Sequence, residues 1–166
     1  MWTNADRTPL VTAGAVLGVG LGGFVDGIVL HQILQWHHMV TEPFPPDSVQ
    51  NLQLNTLGDG LFHAFAWLMT AVGLGLLWRA SSRPDVLWSG RVLIGALAIG
   101  WGLFNLVEGI VDHHLLGIHH VRPGPDHLAW DLGFLAFGAL LVVGGWLLTR
   151  TAPSEARSPA NGVRAG

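Results

Sequence analysis

The chain has 166 residues, of which 50% are hydrophobic and 11% are charged, with a formal net charge of −3 and no cysteine. A soluble domain has about 25% charged residues, so this composition excludes an ordinary soluble protein and favours one that lies in a lipid bilayer. The absence of cysteine excludes disulfides and thiolate metal sites, and the absence of a basic stripe argues against a nucleic-acid partner.

Four apolar segments are each long enough to cross about 30 Å of hydrocarbon. They run from about Val11 to Trp36, Leu57 to Trp78, Arg91 to Ile118 and His127 to Leu148. Segments that contain proline separate them: TEPFPPDS, SSRPD and VRPGPD. The first span is too long for the apolar region of a signal peptide, and no A-x-A-like cleavage site follows it. We therefore predict an all-α integral membrane protein, a bundle of four transmembrane helices.

The distribution of arginine predicts the orientation of the spans. Seven of the eight arginines precede span one, connect spans two and three, or follow span four: Arg7, Arg79, Arg83, Arg91, Arg150, Arg157 and Arg164. Only Arg122 lies in another loop. By the positive-inside rule, both termini are cytoplasmic, and the first and third loops face the exterior, or the periplasm if there is an outer membrane. We expect residues 1–150 to form one domain and the small, polar residues 151–166 to form a disordered cytoplasmic tail.

Span one carries three glycines at four-residue spacing, Gly14, Gly18 and Gly22. Residues four apart lie on one helix face, and small residues there allow two helices to approach closely in lipid. We expect this face to pack against a neighbouring helix.

The end of span one is repeated, without a gap, 82 positions further along the chain. DGIVLHQILQWHHM at 26–39 matches EGIVDHHLLGIHHV at 108–121. The shared residues are the acids Asp26 and Glu108, the histidines His31 and His113, and the pairs His37–His38 and His119–His120. The pattern predicts two helical hairpins, about 11–78 and 91–148, related as parallel repeats by a pseudo-two-fold axis along the membrane normal.

The second helix of each hairpin adds an acid and a histidine four residues apart, which places them on one helix face. These are Asp59 and His63 in span two, and His127 and Asp131, in reversed order, in span four. All nine histidines then lie in the exterior half, with Asp26 and Glu108 nearer the bilayer centre. Asp59 is also a suitable helix cap, and His37, His38, His119 and His120 also suit the headgroup region.

Regular α-helical geometry, at about 100° per residue, separates the candidate ligands of span one into two stripes. His31 and His38 share one stripe, as do His113 and His120 in span three. Asp26 and His37 share the other, with Glu108, Asp112 and His119 as counterparts. The two stripes lie roughly 120° apart, and the sequence does not choose which one faces the bundle axis.

Ionisable residues in a membrane span are costly unless they are paired or bind a ligand. Histidine and carboxylate ligands on facing helices suit iron, zinc, manganese or Cu(II), and the lack of cysteine disfavours Cu(I). The candidate metal ligands are Asp26, His31, His37, His38, Asp59, His63, Glu108, His113, His114, His119, His120, His127 and Asp131. The centre is mononuclear or dinuclear, and the surplus residues would serve as hydrogen-bond partners of the ligands.

Three strings, DGIVLHQILQWHHM, DGLFHAFAW and NLVEGIVDHHLLGIHHV, resemble those of bacterial predicted membrane proteins grouped as domain of unknown function 2243. The resemblance covers nearly the whole chain and implies a four-span membrane protein. It also implies a connection with cytochrome oxidase assembly, and so a respiratory-oxidase-related partner, which would suit an exterior-facing metal site.

These patterns lead to one main functional hypothesis and two alternatives. The main one is a membrane metalloprotein whose transition-metal centre, of iron, zinc or copper, serves redox or oxygen chemistry or metal handling. In its enzyme form it is a metal-dependent oxidoreductase. The alternatives are a proton or metal-cation transporter or channel that uses the same residues, and a haem protein with two axial histidines. The expected partners are the lipid bilayer and, as an alternative that the sequence leaves open, further copies of this chain in a homo-oligomer.

Overall fold

The computed structural model describes residues 6–151, which form an all-helical structure without strands. Its four α-helices are α1 (Thr8–Val25), α2 (Val49–Ser81), α3 (Gly90–Glu108) and α4 (His127–Arg150). α1 continues into a first π-helical segment, Asp26–Ile33, and α3 into a second, Gly109–Leu115. The predicted disordered tail lies outside the described residues from position 152 onward.

Each of the four helical units is long and apolar enough to cross a membrane: Thr8–Ile33, Val49–Ser81, Gly90–Leu115 and His127–Arg150. The predicted four-span fold class is therefore confirmed. The second helix begins at Val49 rather than near Leu57, because Ser48 caps it by accepting a hydrogen bond from the backbone N–H of Asn51. Spans one and three end at Ile33 and Leu115, before the predicted Trp36 and Ile118.

The helices form a row rather than a closed square. α1 packs against α2 and α3, and α3 packs against α4, while the backbones of α2 and α3 lie apart and the rings of Phe62 and Phe104 meet between them. In an apolar stretch of 18 residues within each span, 50% and 44% of the residues are buried in the two central spans, whereas 11% are buried in α2 and in α4. The ends of α1 and α3, which carry the repeated motifs, therefore lie at the centre of the structure.

Close approach of α1 and α3 depends on glycine, as the stripe in span one predicts. A Cβ atom at Gly18 would overlap the carbonyl oxygen of Leu97, and one at Gly100 would overlap the carbonyl oxygen of Ala15. Gly14 faces Ala96 in the same interface. Since Gly100 lies 82 positions after Gly18, the two contacts are reciprocal, and the prediction that this face packs against a neighbour is confirmed.

The π-helical segments change which side chains lie together. A π-helix joins residues five apart, as in the 2.8 Å bonds from the N–H of Leu34 to the oxygen of Val29 and from Leu116 to Val111. In an α-helix two residues five apart point roughly 140° away from each other. The prediction of two separate stripes is therefore wrong, because Asp26 lies beside His31 in the wider π-helical turn.

After each π-helical segment the chain turns sharply inward. Gln35 and Gly117, again 82 positions apart, both have left-handed backbone conformations, with φ of 50° and 57°. Gln35 is not a glycine, so this conformation carries a local cost that the surrounding structure must offset. The turns bring His37 and His119 back into the buried centre.

Candidate metal centre

The first group of candidate ligands consists of Asp26, His31 and His37, which we call triad one. One ligand atom of each lies within 4.8 Å of the other two. The Nε2 atom of His31 is 3.1 Å from Oδ2 of Asp26, and all three side chains are at most 4% exposed. Two imidazoles and one carboxylate thus converge on a single small volume.

Triad two has the same composition and consists of Glu108, His113 and His119. The Oε1 atom of Glu108 lies 3.4 Å from Nε2 of His119 and 4.0 Å from Nε2 of His113. These side chains are also buried, with His119 fully enclosed. Each half of the molecule therefore supplies one set of two histidines and one acid.

The two triads adjoin each other at the centre of the molecule. The rings of His37 and His119 stack with centroids 4.6 Å apart and an interplanar angle of 4°. His37 also contacts His31 at 4.5 Å, and His119 contacts His113 at 4.9 Å, between ring centroids. The six candidate ligands consequently form one continuous buried cluster.

A second carboxylate, that of Asp59, orients His31 of triad one. Nδ1 of His31 donates to Oδ1 of Asp59 at 2.8 Å, and Nδ1 of His38 donates to Oδ2 at 2.7 Å. The backbone N–H of Met39 donates to the same carboxylate at 2.9 Å. Asp59 therefore directs Nε2 of His31 toward Asp26, as partners of ligating histidines do in metal sites.

Asp131 occupies the equivalent position beside triad two. It accepts from Nδ1 of His120 at 2.7 Å and from the backbone N–H of Val121 at 2.9 Å, and Nδ1 of His113 lies 3.5 Å away. These partners lie 82 positions after those of Asp59. The arrangement around Asp59 thus recurs around Asp131.

His37 and His119 are oriented by backbone carbonyls of the opposite half. Nδ1 of His37 donates to the oxygen of Val121 at 2.9 Å, and Nδ1 of His119 donates to that of Met39 at 3.1 Å. Burial, reinforced by the neighbouring histidines, lowers the pKa of His37 to about 2 and that of His119 to about 3. Both rings are therefore neutral at pH 7, with the Nε2 lone pair free for a ligand.

Polar atoms without partners are concentrated in the two triads. In the described part of the chain, nine buried side-chain nitrogen and oxygen atoms have no hydrogen-bond partner, and seven of them belong to Asp26, His31, His37, Glu108 and His113. Such an atom costs about 1–3 kcal/mol, and native proteins retain few. Two of the seven, Nε2 of His31 and Oδ2 of Asp26, lie opposite each other at 3.1 Å as an ion-pair contact. Since His119 donates from Nδ1, its Nε2 lone pair faces Oε1 of Glu108 at 3.4 Å. This contact needs either a proton on the Glu108 carboxyl group or a cation between the two atoms.

The other candidate histidines lie outside the triads. His63 donates from Nδ1 to the carbonyl of Asp59 and packs against Gly27, where the second half has Leu135 against Gly109. The exposed His114 donates to the carbonyl of Gly109. His127 donates to the carbonyl of Gly124 at the outer edge and contacts His120.

Two aromatic residues of the site were not among the predicted site residues. The ring of Phe62 stacks on His31 at 5.6 Å, and that of Phe134 contacts His113 at 5.4 Å. A signal for both exists in the sequence: DGLFHAF at 59–65 matches DLGFLAF at 131–137 without a gap. In this alignment Asp59 corresponds to Asp131, and His63 corresponds to Leu135. The interpretation of His127 and Asp131 as a reversed acid and histidine pair is therefore replaced.

Fold and site together define a four-helix membrane protein with a buried histidine and carboxylate cluster at the inward turns of its central helices. Residues 13–152 match the family described as predicted membrane protein (DUF2243). The chain belongs to this family. No curated protein and no solved structure matches the chain.

Proposed function

We propose that the two triads bind two transition-metal ions, which makes this chain a membrane metalloprotein with a dinuclear centre. The observation that supports this most is the concentration of unpartnered, buried nitrogen and oxygen atoms in Asp26, His31, His37, Glu108 and His113. Two imidazoles and one carboxylate are a ligand set used by non-haem iron and by zinc. Ions held by three protein ligands keep coordination positions open for a small oxidant or a water molecule.

The residues around the triads have defined roles in this proposal. Asp59 fixes the orientation of His31 and increases the basicity of its ligating nitrogen, and Asp131 lies 3.5 Å from Nδ1 of His113, where it would do the same once an ion draws the ring into place. Four carboxylates, those of Asp26, Glu108, Asp59 and Asp131, would balance the charge of two divalent ions in a buried site. The dry, enclosed surroundings strengthen each of these electrostatic interactions.

The location of the centre follows from the arginine distribution. The ends of α1 and α3 that carry the triads lead into the loops with few arginines, so we place the centre toward the exterior face of a bacterial inner membrane, with cytoplasmic termini. The matching contacts of the two halves support the interpretation of two hairpin repeats. Metal handling or redox chemistry for a respiratory oxidase would suit this position.

The alternative functions receive less support. The four histidine rings of the triads pack against one another at 4.5–4.9 Å, which leaves no slot for a porphyrin between them in the described residues. A proton or cation pathway would use the same acids, and ion-flux measurements on the variants below distinguish it from a stable metal centre.

The proposal is tested by elemental analysis of detergent-purified protein prepared without chelators. We expect His37→Ala and His119→Ala to lower the bound metal, because each removes one ligand from a triad. His114→Ala is the matched control, since this exposed histidine lies outside both triads and should leave the metal content unchanged. Equal metal content in all three variants would contradict the proposal.

A further inference from the structure

A cavity of about 340 Å³ opens beside triad two, in the gap between α2 and α3. Its walls are mostly apolar and include three aromatic side chains, Phe62 and Phe65 from α2 and Phe104 from α3. Its polar residues are Glu108 and Asp112. Val107, which also lines it, is 62% exposed on a membrane-spanning helix, so the mouth of the cavity faces lipid.

The equivalent cavity beside triad one is much smaller. It measures about 180 Å³ and is lined by Asp26 between α1 and α4. Two substitutions contribute to the difference: the larger Trp101 occupies the position of Val19, and the apolar Leu30 occupies that of Asp112. The smaller cavity has Asn105 as its second polar residue, so the two halves differ in cavity size and in having a second carboxyl group beside triad two.

The polar end of the larger cavity has an unused acceptor. Glu108 is 7% exposed, and its Oε2 atom has no hydrogen-bond partner among the described residues, while its Oε1 atom faces the two histidines of triad two. Asp112 adds a second carboxyl group one turn further along, at the position where the other half has an apolar side chain. The oxygen atoms of carboxyl groups accept hydrogen bonds, so the two groups suit a molecule that carries donors.

We propose that this cavity is a lateral binding site for a membrane-dissolved molecule of the quinol class, with its ring against the side chains of Phe62, Phe65 and Phe104 and its hydroxyl groups on Glu108 and Asp112. Flat aromatic walls favour an aromatic ring, and the size lies at the lower end of small-molecule pockets. Glu108 belongs both to this cavity and to triad two. The inference therefore rests on the proposed function, because it names the molecule that would meet the metal centre.

Binding of a short-chain ubiquinol to the full chain in lipid nanodiscs tests the proposal, with empty nanodiscs as the blank. We expect Val107→Trp to weaken binding by roughly tenfold or more, because the larger side chain closes the mouth of the cavity. Val25→Trp is the matched control, since Val25 is the equivalent lipid-facing valine at the smaller cavity and is 41% exposed. Its effect should stay within roughly twofold.

A second comparison tests the role of the donors. Asp112→Leu should weaken binding of the quinol, and the same quinol with both hydroxyl groups methylated should bind poorly to the unaltered chain. Equal binding of both compounds, or equal effects of Val107→Trp and Val25→Trp, would overturn the proposal. Metal content measured on the same samples separates this inference from the proposed function, because quinol binding can fail with the metal retained, or persist without it.

Discussion

His37 and His119 come from loops 82 positions apart and stack face to face, with ring centroids 4.6 Å apart. Each ring donates from Nδ1 to a carbonyl of the opposite half, so both Nε2 lone pairs are directed into the buried cluster. This arrangement joins the two triads into one unit. It also means that each half of the chain holds the ligands of the other in place.

The first prediction concerns the carboxylates behind the ligands. Asp59→Asn and Asp131→Asn should each weaken metal binding by roughly 10–100-fold, because the amide cannot replace a carboxylate that accepts several hydrogen bonds. Chelator competition on purified protein measures the affinity. Asp126→Asn is the control, since this residue is exposed and makes no side-chain cap bond. Unchanged affinity in the first two variants would show that these carboxylates do not support the ligands.

The second prediction concerns the contact between α1 and α3. Gly18→Ala should lower the thermal midpoint, because its Cβ overlaps the backbone of α3, and overpacking of this kind costs about 1–3 kcal/mol. Gly144→Ala should raise it slightly, since nothing lies within 4 Å of that position and alanine favours a helix by about 0.5–1 kcal/mol. Thermal unfolding in detergent measures both. A Gly18→Ala variant as stable as Gly144→Ala would contradict the close approach of these helices.

The third prediction concerns orientation. The chain has no cysteine, so a single introduced cysteine is the only thiol of the protein that a reagent can label. Ser48→Cys, in the loop between spans one and two, should react with a membrane-impermeant thiol reagent in intact cells, and Ser82→Cys should react only after lysis. The opposite labelling pattern would place the metal centre toward the cytoplasm.

The four spans were predictable because apolar length and charge deficit depend on composition, which does not require the packing to be known. The residue types of the candidate ligands were predictable for a similar reason: Asp26 and Glu108 are too costly in a span to be incidental. Even the helix contact through Gly18 follows from spacing alone. These features depend on residue identity and local periodicity.

The arrangement of the ligands was not predictable in the same way. Asp26 and His31 meet because the helix widens into a π-helical turn, and no residue in DGIVLHQI specifies that geometry by itself. His37 enters the site through a left-handed turn at Gln35, a residue type that rarely adopts it. Both His31 and His38 bind Asp59, but only His31 belongs to a triad. Which histidine is a candidate ligand depends on these turns.

The fourth prediction concerns whether the two triads bind their metal ions independently or together. Because the two triads adjoin each other, Asp26→Ala and Glu108→Ala should each lose more than half of the wild-type metal, since residues that act together are strongly non-additive. Retention of half of the metal in each variant would show instead that the two sites fill independently. Unchanged metal with altered proton or ion flux would favour the pathway hypothesis instead.

The metal-to-protein ratio of the unaltered chain tests the central claim most directly. Protein purified without chelators, or reconstituted with Fe²⁺ or Zn²⁺ and then desalted, should retain two ions per chain. The Asp26→Ala, Glu108→Ala double variant, treated in the same way, should retain none. A wild-type chain that carries no transition metal and binds none on reconstitution would contradict the account.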